Sequence, residues 1–137
     1  MEKNINIMSF LTPKKDLIYL EDTMTLRQAI EKMRIHRYTV IPMINADNGV
    51  YRGSVSEGDL LRRITEADTF DLYECENIPA VSVVRKDFIP AVSVDTDFDT
   101  LLNMVTNQNY VPVTDDRGIL MGIITRRSVI TYLKNLL

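Results

Sequence analysis

Two stretches of this chain carry the same punctuation about 70 residues apart, and that repetition limits the fold more than any other feature. The first runs Val40-Ile41-Pro42-Met43, a turn over 45–49, then Gly53-Ser54-Val55-Ser56-Glu57-Gly58-Asp59-Leu60-Leu61. The second runs Tyr110-Val111-Pro112-Val113, a turn over 115–118, then Gly122-Ile123-Ile124-Thr125-Arg126-Arg127-Ser128-Val129-Ile130. A gap of one residue keeps both in register. The upstream halves match as well. Leu26, Ala29, Ile30 and Met33 stand at helical spacing, as do Phe98, Leu101, Leu102 and Val105. Extended stretches at 17–20 and 91–94 precede these helices, and Thr25 and Asp97 are suited to cap them.

Each repeat therefore reads strand, helix, strand, tight turn, strand, helix, which is an α+β unit. A unit of about 50–60 residues buries too little surface to be stable alone, so two copies packed sheet against sheet are expected. Pro42 and Pro112 lack a ladder donor and predict edge strands or a bulge. Apolar segments at 5–11 and 78–84 predict lead-in helices. Five acids and no base (Glu66, Asp68, Asp71, Glu74, Glu76) mark a connector. The sequence is thus parsed as repeat 1 over 7–64, an acidic connector over 65–77 and repeat 2 over 78–135.

Composition removes several function classes. With 45% hydrophobic and 26% charged residues, the 137-residue chain is that of a folded protein. No apolar run approaches the ~18 residues of a membrane span, and no apolar stretch follows Met1-Glu2-Lys3-Asn4 as in a secretory signal. A cytoplasmic protein is expected. A net charge of −3 offers no basic footprint for nucleic acid. One cysteine and one histidine exclude a disulfide framework, a Cys/His zinc site or a c-type haem site within one chain.

Catalysis is not expected, and neither is a cofactor. His36 lies between arginines at the end of the first repeat's helix, and Cys75 lies between Glu74 and Glu76, which disfavour a thiolate. The nucleophile elbow, the P-loop and the dinucleotide fingerprint are all missing.

Thr125-Arg126-Arg127 is the sharpest chemical signal. It falls where strand 122–124 turns into a helix, with Thr125 at the cap. Two arginines in a first helical turn oppose the macrodipole by roughly 0.3–1 kcal/mol each. The arrangement makes sense if an anion docks there, on free N–H groups, a hydroxyl and two guanidinium forks. The alternative is a solvated helix face, or pairing with Asp115 and Asp116. In the first repeat, Ser56-x-x-Asp59 is a loose capping box, which alone explains both residues.

The paired Val-Ile-Pro-Met/Gly-x-x-Ser-x-x-Asp and Tyr-Val-Pro-Val/Gly-x-x-Thr-x-x-Ser blocks resemble the CBS domain, specifically a tandem CBS pair or Bateman module. The resemblance covers about 7–135. It implies two β-α-β-β-α repeats related by pseudo-two-fold symmetry, with adenine-nucleotide sites shared between repeats. One site would take Thr125, Arg126, Arg127 and Ser128 with Asp16, Ile18, Tyr38, Thr39 and Val40. A second nucleotide site would take Ser56 and Asp59 with Ile89, Ala91, Asn109 and Tyr110. Lys14 or Lys15 could add a cation to the first.

Arg37-Tyr38-Thr39-Val40-Ile41-Pro42, Asp87-Phe88-Ile89-Pro90 and Gly122-Ile123-Ile124-Thr125-Arg126-Arg127 also resemble the small stand-alone CBS proteins of Gram-positive bacteria that bind cyclic di-AMP. Ser128 stands where the family commonly has a ribose-gripping Asp. A 3′,5′-cyclic dinucleotide has no free 2′,3′-diol, so the departure favours cyclic di-AMP over AMP. The resemblance implies a homodimeric nucleotide sensor regulating a partner protein, for instance a (p)ppGpp synthetase/hydrolase. The rivals are a regulator binding AMP, ATP or S-adenosylmethionine, and a ligand-free interaction scaffold.

Overall fold

The computed structural model describes residues 5–66, 71–85 and 87–137. A 3-10 turn at Ile7–Phe10 leads into β1 (Thr12–Pro13), a second 3-10 turn (Lys14–Asp16), β2 (Leu20–Glu21), α1 (Leu26–His36), β3 (Val40–Ile44), β4 (Tyr51–Ser56) and α2 (Glu57–Glu66). After the short α3 (Leu72–Cys75) and a 3-10 turn at Ala80–Val83 come β5 (Val92–Ser93), α4 (Phe98–Val105), β6 (Tyr110–Thr114), β7 (Leu120–Thr125) and α5 (Arg126–Asn135). Two compact units result. One is Ile18–Phe88; the other joins the chain up to Leu17 with Ile89–Leu137.

The Ile18–Phe88 unit holds a sheet ordered β2-β3-β4, with β2 parallel and β4 antiparallel to β3. Asn45 closes the hairpin, its Oδ1 accepting from the N–H groups of Asp47 and Asn48. Thr25 and Gln28 cap α1 reciprocally. Leu20, Leu26, Ala29, Ile41, Met43 and Val55 are fully buried, and Cys75, Ala80 and Val83 complete this core.

The other unit holds a sheet ordered β1-β7-β6-β5. Asp97 caps α4 by accepting from Thr100 N–H at 2.7 Å. Ile7 is fully buried among Phe98, Leu101, Val111, Val113, Ile124 and Val129. Phe10 meets Tyr132 edge-on, with ring centres 5.0 Å apart. The units therefore do not follow repeat order along the chain. Ile7, Phe10 and Leu11, at the start of repeat 1 as parsed, pack with the second repeat's elements, and Ala80–Val83, at the start of repeat 2, packs with the first's. Asp68 of the acidic connector lies outside the described residues.

Three expectations need correction. The lead-in helices at 5–11 and 78–84 are single 3-10 turns, because the chain extends at Leu11 and Val84 to lie along a sheet. There Thr12 pairs with Ile123, and Arg85 bridges Ser54. The extended stretches at 17–20 and 91–94 shrink to the two-residue β2 and β5. Pro42 and Pro112 lie in the middle strands β3 and β6, not at edges. Each central strand gains its second, parallel neighbour only beyond the proline, at Met43 and Val113, so the missing N–H breaks no parallel ladder. The bulge alternative holds one residue further on, at Met43/Ile44 and Val113/Thr114.

Candidate functional site

At the start of α5, Thr125 accepts from Ser128 N–H at 3.1 Å, and the Ser128 hydroxyl donates back to the Thr125 carbonyl at 2.8 Å. The cap read from the sequence is therefore present. Arg126 departs from the expected role. Its N–H donates to the Asn109 carbonyl at 2.9 Å, and its Nε donates to the Val105 carbonyl at 2.6 Å. Val105 ends α4, where unpaired carbonyls carry partial negative charge, so the guanidinium is held as a helix-end cation. Two N–H groups of the first turn and one face of Arg126 are thus already committed.

Arg127 is exposed and makes no hydrogen bond or ion pair among the described residues. Asp115 pairs with Arg117 at 3.6 Å instead. Arg127 borders an open pocket of about 510 Å³ within the same unit, whose walls include Ser9, Phe10, Thr125, Ser128 and Tyr132. A cation, several hydroxyls and two aromatic rings face one space, a donor-rich arrangement without a carboxylate. Asp16, exposed at the end of its 3-10 turn, belongs to this unit. Ile18, Tyr38, Thr39 and Val40 belong to the other. Tyr38 is exposed and stacks on His36 with centres 6.2 Å apart. The Thr39 carbonyl accepts from Glu57 N–H at 2.9 Å, as Asn109 does from Arg126 in the corresponding place.

Ser56 and Asp59 form the capping box at the start of α2. Asp59 Oδ2 accepts from Ser56 N–H at 2.8 Å and from the Ser56 hydroxyl at 2.9 Å, while Ser56 Oγ accepts from Asp59 N–H at 3.2 Å. Asp59 is only 4% exposed. Its Oδ1 receives Arg85 Nε at 2.8 Å and Arg62 Nη1 at 3.4 Å. The Arg85 guanidinium lies 3.7 Å from the centre of the Phe88 ring. Sequence reasoning missed Arg85, which sits 26 positions beyond Asp59 in a loop with no motif. Ile89, Ala91, Asn109 and Tyr110 fall in the other unit; Ile89 and Tyr110 are buried, Ala91 is half-buried and Asn109 is exposed.

Burial pushes the Asp59 carboxyl upward, but the Ser56 N–H, the Ser56 hydroxyl and Arg85 outweigh it and hold the group below the ordinary carboxylate range. The stability this supplies is fully present above the unfolded carboxylate value near pH 4 and is lost as acidification passes the depressed folded value. Asp59→Asn is therefore expected to cost about 1–3 kcal/mol at pH 7, with the gap to the parent protein narrowing as the pH falls below the unfolded carboxylate value near 4. Urea midpoints of both proteins at pH 7 and pH 3 check this. A gap that stays constant with pH would contradict it.

His36 is exposed at the end of α1, and Cys75 is buried with its thiol pushed up first by burial and then by Asp71 and Glu74. Among the described residues, no group of three or more His, Cys, Asp or Glu side chains is placed to hold a metal ion, and no helix is long and apolar enough to cross a membrane.

Comparison with known proteins agrees with this architecture. The family model for the CBS domain matches residues 7–66 and 80–135. A curated relative, protein MJ1225 of Methanocaldococcus jannaschii, is 23% identical over 94% of the chain, and the chain spans about half (49%) of that protein's length. Among solved structures, CbpB in complex with c-di-AMP superposes with a TM-score of 0.88 at 18% identity, covering 96% of this chain and 86% of the other. A CBS domain protein from Streptococcus pneumoniae TIGR4 superposes with a TM-score of 0.83 at 29% identity, covering 93% and 86%.

Proposed function

The chain belongs to the CBS-domain family, and on that premise we propose that it is a non-enzymatic adenine-nucleotide sensor whose preferred ligand is cyclic di-AMP. The observation that carries this reading is Arg127, a guanidinium in the first turn of α5 that makes no hydrogen bond or ion pair among the described residues, beside a pocket of about 510 Å³. A phosphodiester would receive a charge-assisted fork there, with the Thr125 hydroxyl alongside. Arg126, held by its Nε on the Val105 carbonyl, is assigned no part in holding the anion. Ser128 brings no carboxylate to repel a phosphodiester or to grip a diol that cyclic di-AMP lacks. A solved structure of CbpB, which shares the fold, contains c-di-AMP.

Thermal denaturation with cyclic di-AMP, AMP, ADP, ATP and S-adenosylmethionine tests the reading. Ligand at a hundredfold its Kd stabilises by about 2.7 kcal/mol, a shift of several degrees for a chain of this size. The largest shift is expected from cyclic di-AMP. A larger shift with ATP would overturn the choice of ligand, and no shift with any of the five would leave an interaction scaffold.

A further inference from the structure

The chain builds one scaffold twice and fills it with different chemistry. Arg85 bridges Ser54 in one unit as Thr12 pairs with Ile123 in the other. In both places the backbone passes over a glycine: a Cβ on Gly53 would lie 2.8 Å from the Arg85 carbonyl oxygen, and one on Gly122 would lie 2.2 Å from that of Thr12. Positions 85 and 12 therefore correspond, and so do 59 and 128 at the helix starts. The two differences come together. Where the helix start carries a carboxylate, the lead-in carries an arginine that reaches it; where the helix start carries Ser128, the lead-in carries Thr12. The pocket on the Asp59 side, bordered by Asp59, Arg62, Arg63 and Arg85, measures about 190 Å³, against about 510 Å³ beside Arg127.

We infer that Arg85 is a built-in occupant of Asp59, a tethered cation that keeps this pocket closed to nucleosides carrying a free 2′,3′-diol. A carboxylate offers about four acceptor positions. Two donors from Ser56 and one each from Arg85 and Arg62 take four. A diol needs two of them, and those on Oδ2 belong to the helix cap, so the arginines must yield. Arg85 is built to yield. Its side chain is 47% exposed, and it rests on Phe88 rather than within the core. Its backbone stays pinned against Gly53 and Ser54 while the guanidinium moves. The occupant is thus displaceable, and one chain presents one open and one locked site.

The ligand class rests on the nucleotide-binding reading, whereas the lock rests on Arg85, the exposed Arg62 giving up its longer 3.4 Å contact once Arg85 is gone. Calorimetric titration of the full chain with adenosine, which carries the diol without phosphate, tests it. Arg85→Ala is expected to bind adenosine at least tenfold more tightly than the parent, with no gain for 2′-deoxyadenosine. Adding Asp59→Asn to Arg85→Ala should abolish the gain. Phe88→Ala, which removes the resting platform and keeps the ion pair, should give a smaller gain and reads the lock even if Arg85→Ala does not fold. The lock is overturned if neither folded variant gains affinity for adenosine, or if 2′-deoxyadenosine gains equally. Titration of the same variants with cyclic di-AMP is expected to match the parent and reports separately on the Arg127 site.

Discussion

Gly122→Ala is expected to remove about 3 kcal/mol or more of unfolding free energy, the upper end of overpacking costs. The added Cβ would lie 2.2 Å from the Thr12 carbonyl oxygen and 2.9 Å from a Leu11 methyl carbon. The oxygen belongs to backbone that cannot rotate aside as a side chain can. Relief requires β1 to leave β7, and β1 follows directly on Ile7 and Phe10, which fill the core of that unit. The cost is therefore steric and propagates to apolar burial. Gly58→Ala is the internal control. Its Cβ would meet only Ser56 Oγ at 3.6 Å, and the residue lies exposed in a helix. There the substitution is expected to stabilise by about 0.5–1 kcal/mol, because alanine loses less backbone entropy. Urea melts of both variants, compared at constant slope, read the contrast. A Gly122→Ala midpoint equal to the parent's would mean that β1 is not seated on β7.

What the sequence disclosed was local. Thr25, Asp97, Thr125 and Ser56 all cap helices as expected, because a cap depends on atoms within three residues. The turns at Asn45 and Asp115 are equally local, each built on a side-chain oxygen that accepts from nearby N–H groups. Pairing across long separations was not legible. Nothing in the apolar pattern of 5–11 says that Ile7 packs with Phe98 and Leu101 rather than with the repeat it opens. The prolines misled because the edge rule counts whole strands, whereas the parallel neighbours β2 and β5 cover only the ends beyond Pro42 and Pro112. At the site, Arg126 looked equivalent to Arg127. Only the fold brings its Nε to the end of α4, 21 positions back.

That inequality between neighbouring arginines sets up the second large effect. On the proposed reading, Arg127→Ala is expected to weaken cyclic di-AMP binding about 10–100-fold, the worth of roughly 1.5–3 kcal/mol for a charge-assisted contact. Stability without ligand should stay level or rise slightly, since the substitution removes a cation from the positive end of α5 and breaks no described contact. Arg126→Ala should behave differently. It strips the Val105 carbonyl of its donor and is expected to cost about 1 kcal/mol of stability, so any loss of binding there mixes recognition with packing. The clean pair is Arg127→Ala against Asp59→Ala. The first should lose affinity at unchanged fold, and the second should lose stability at nearly unchanged affinity for a ligand without a free diol. Salt sharpens the distinction: raising ionic strength screens an exposed guanidinium–phosphate contact, so the parent's affinity should fall more steeply with salt than that of Arg127→Ala. Calorimetry at two salt concentrations on the three proteins decides the matter. The reverse ranking, with Asp59→Ala crippled and Arg127→Ala intact, would move the ligand to the start of α2 and leave Arg127 as solvated surface.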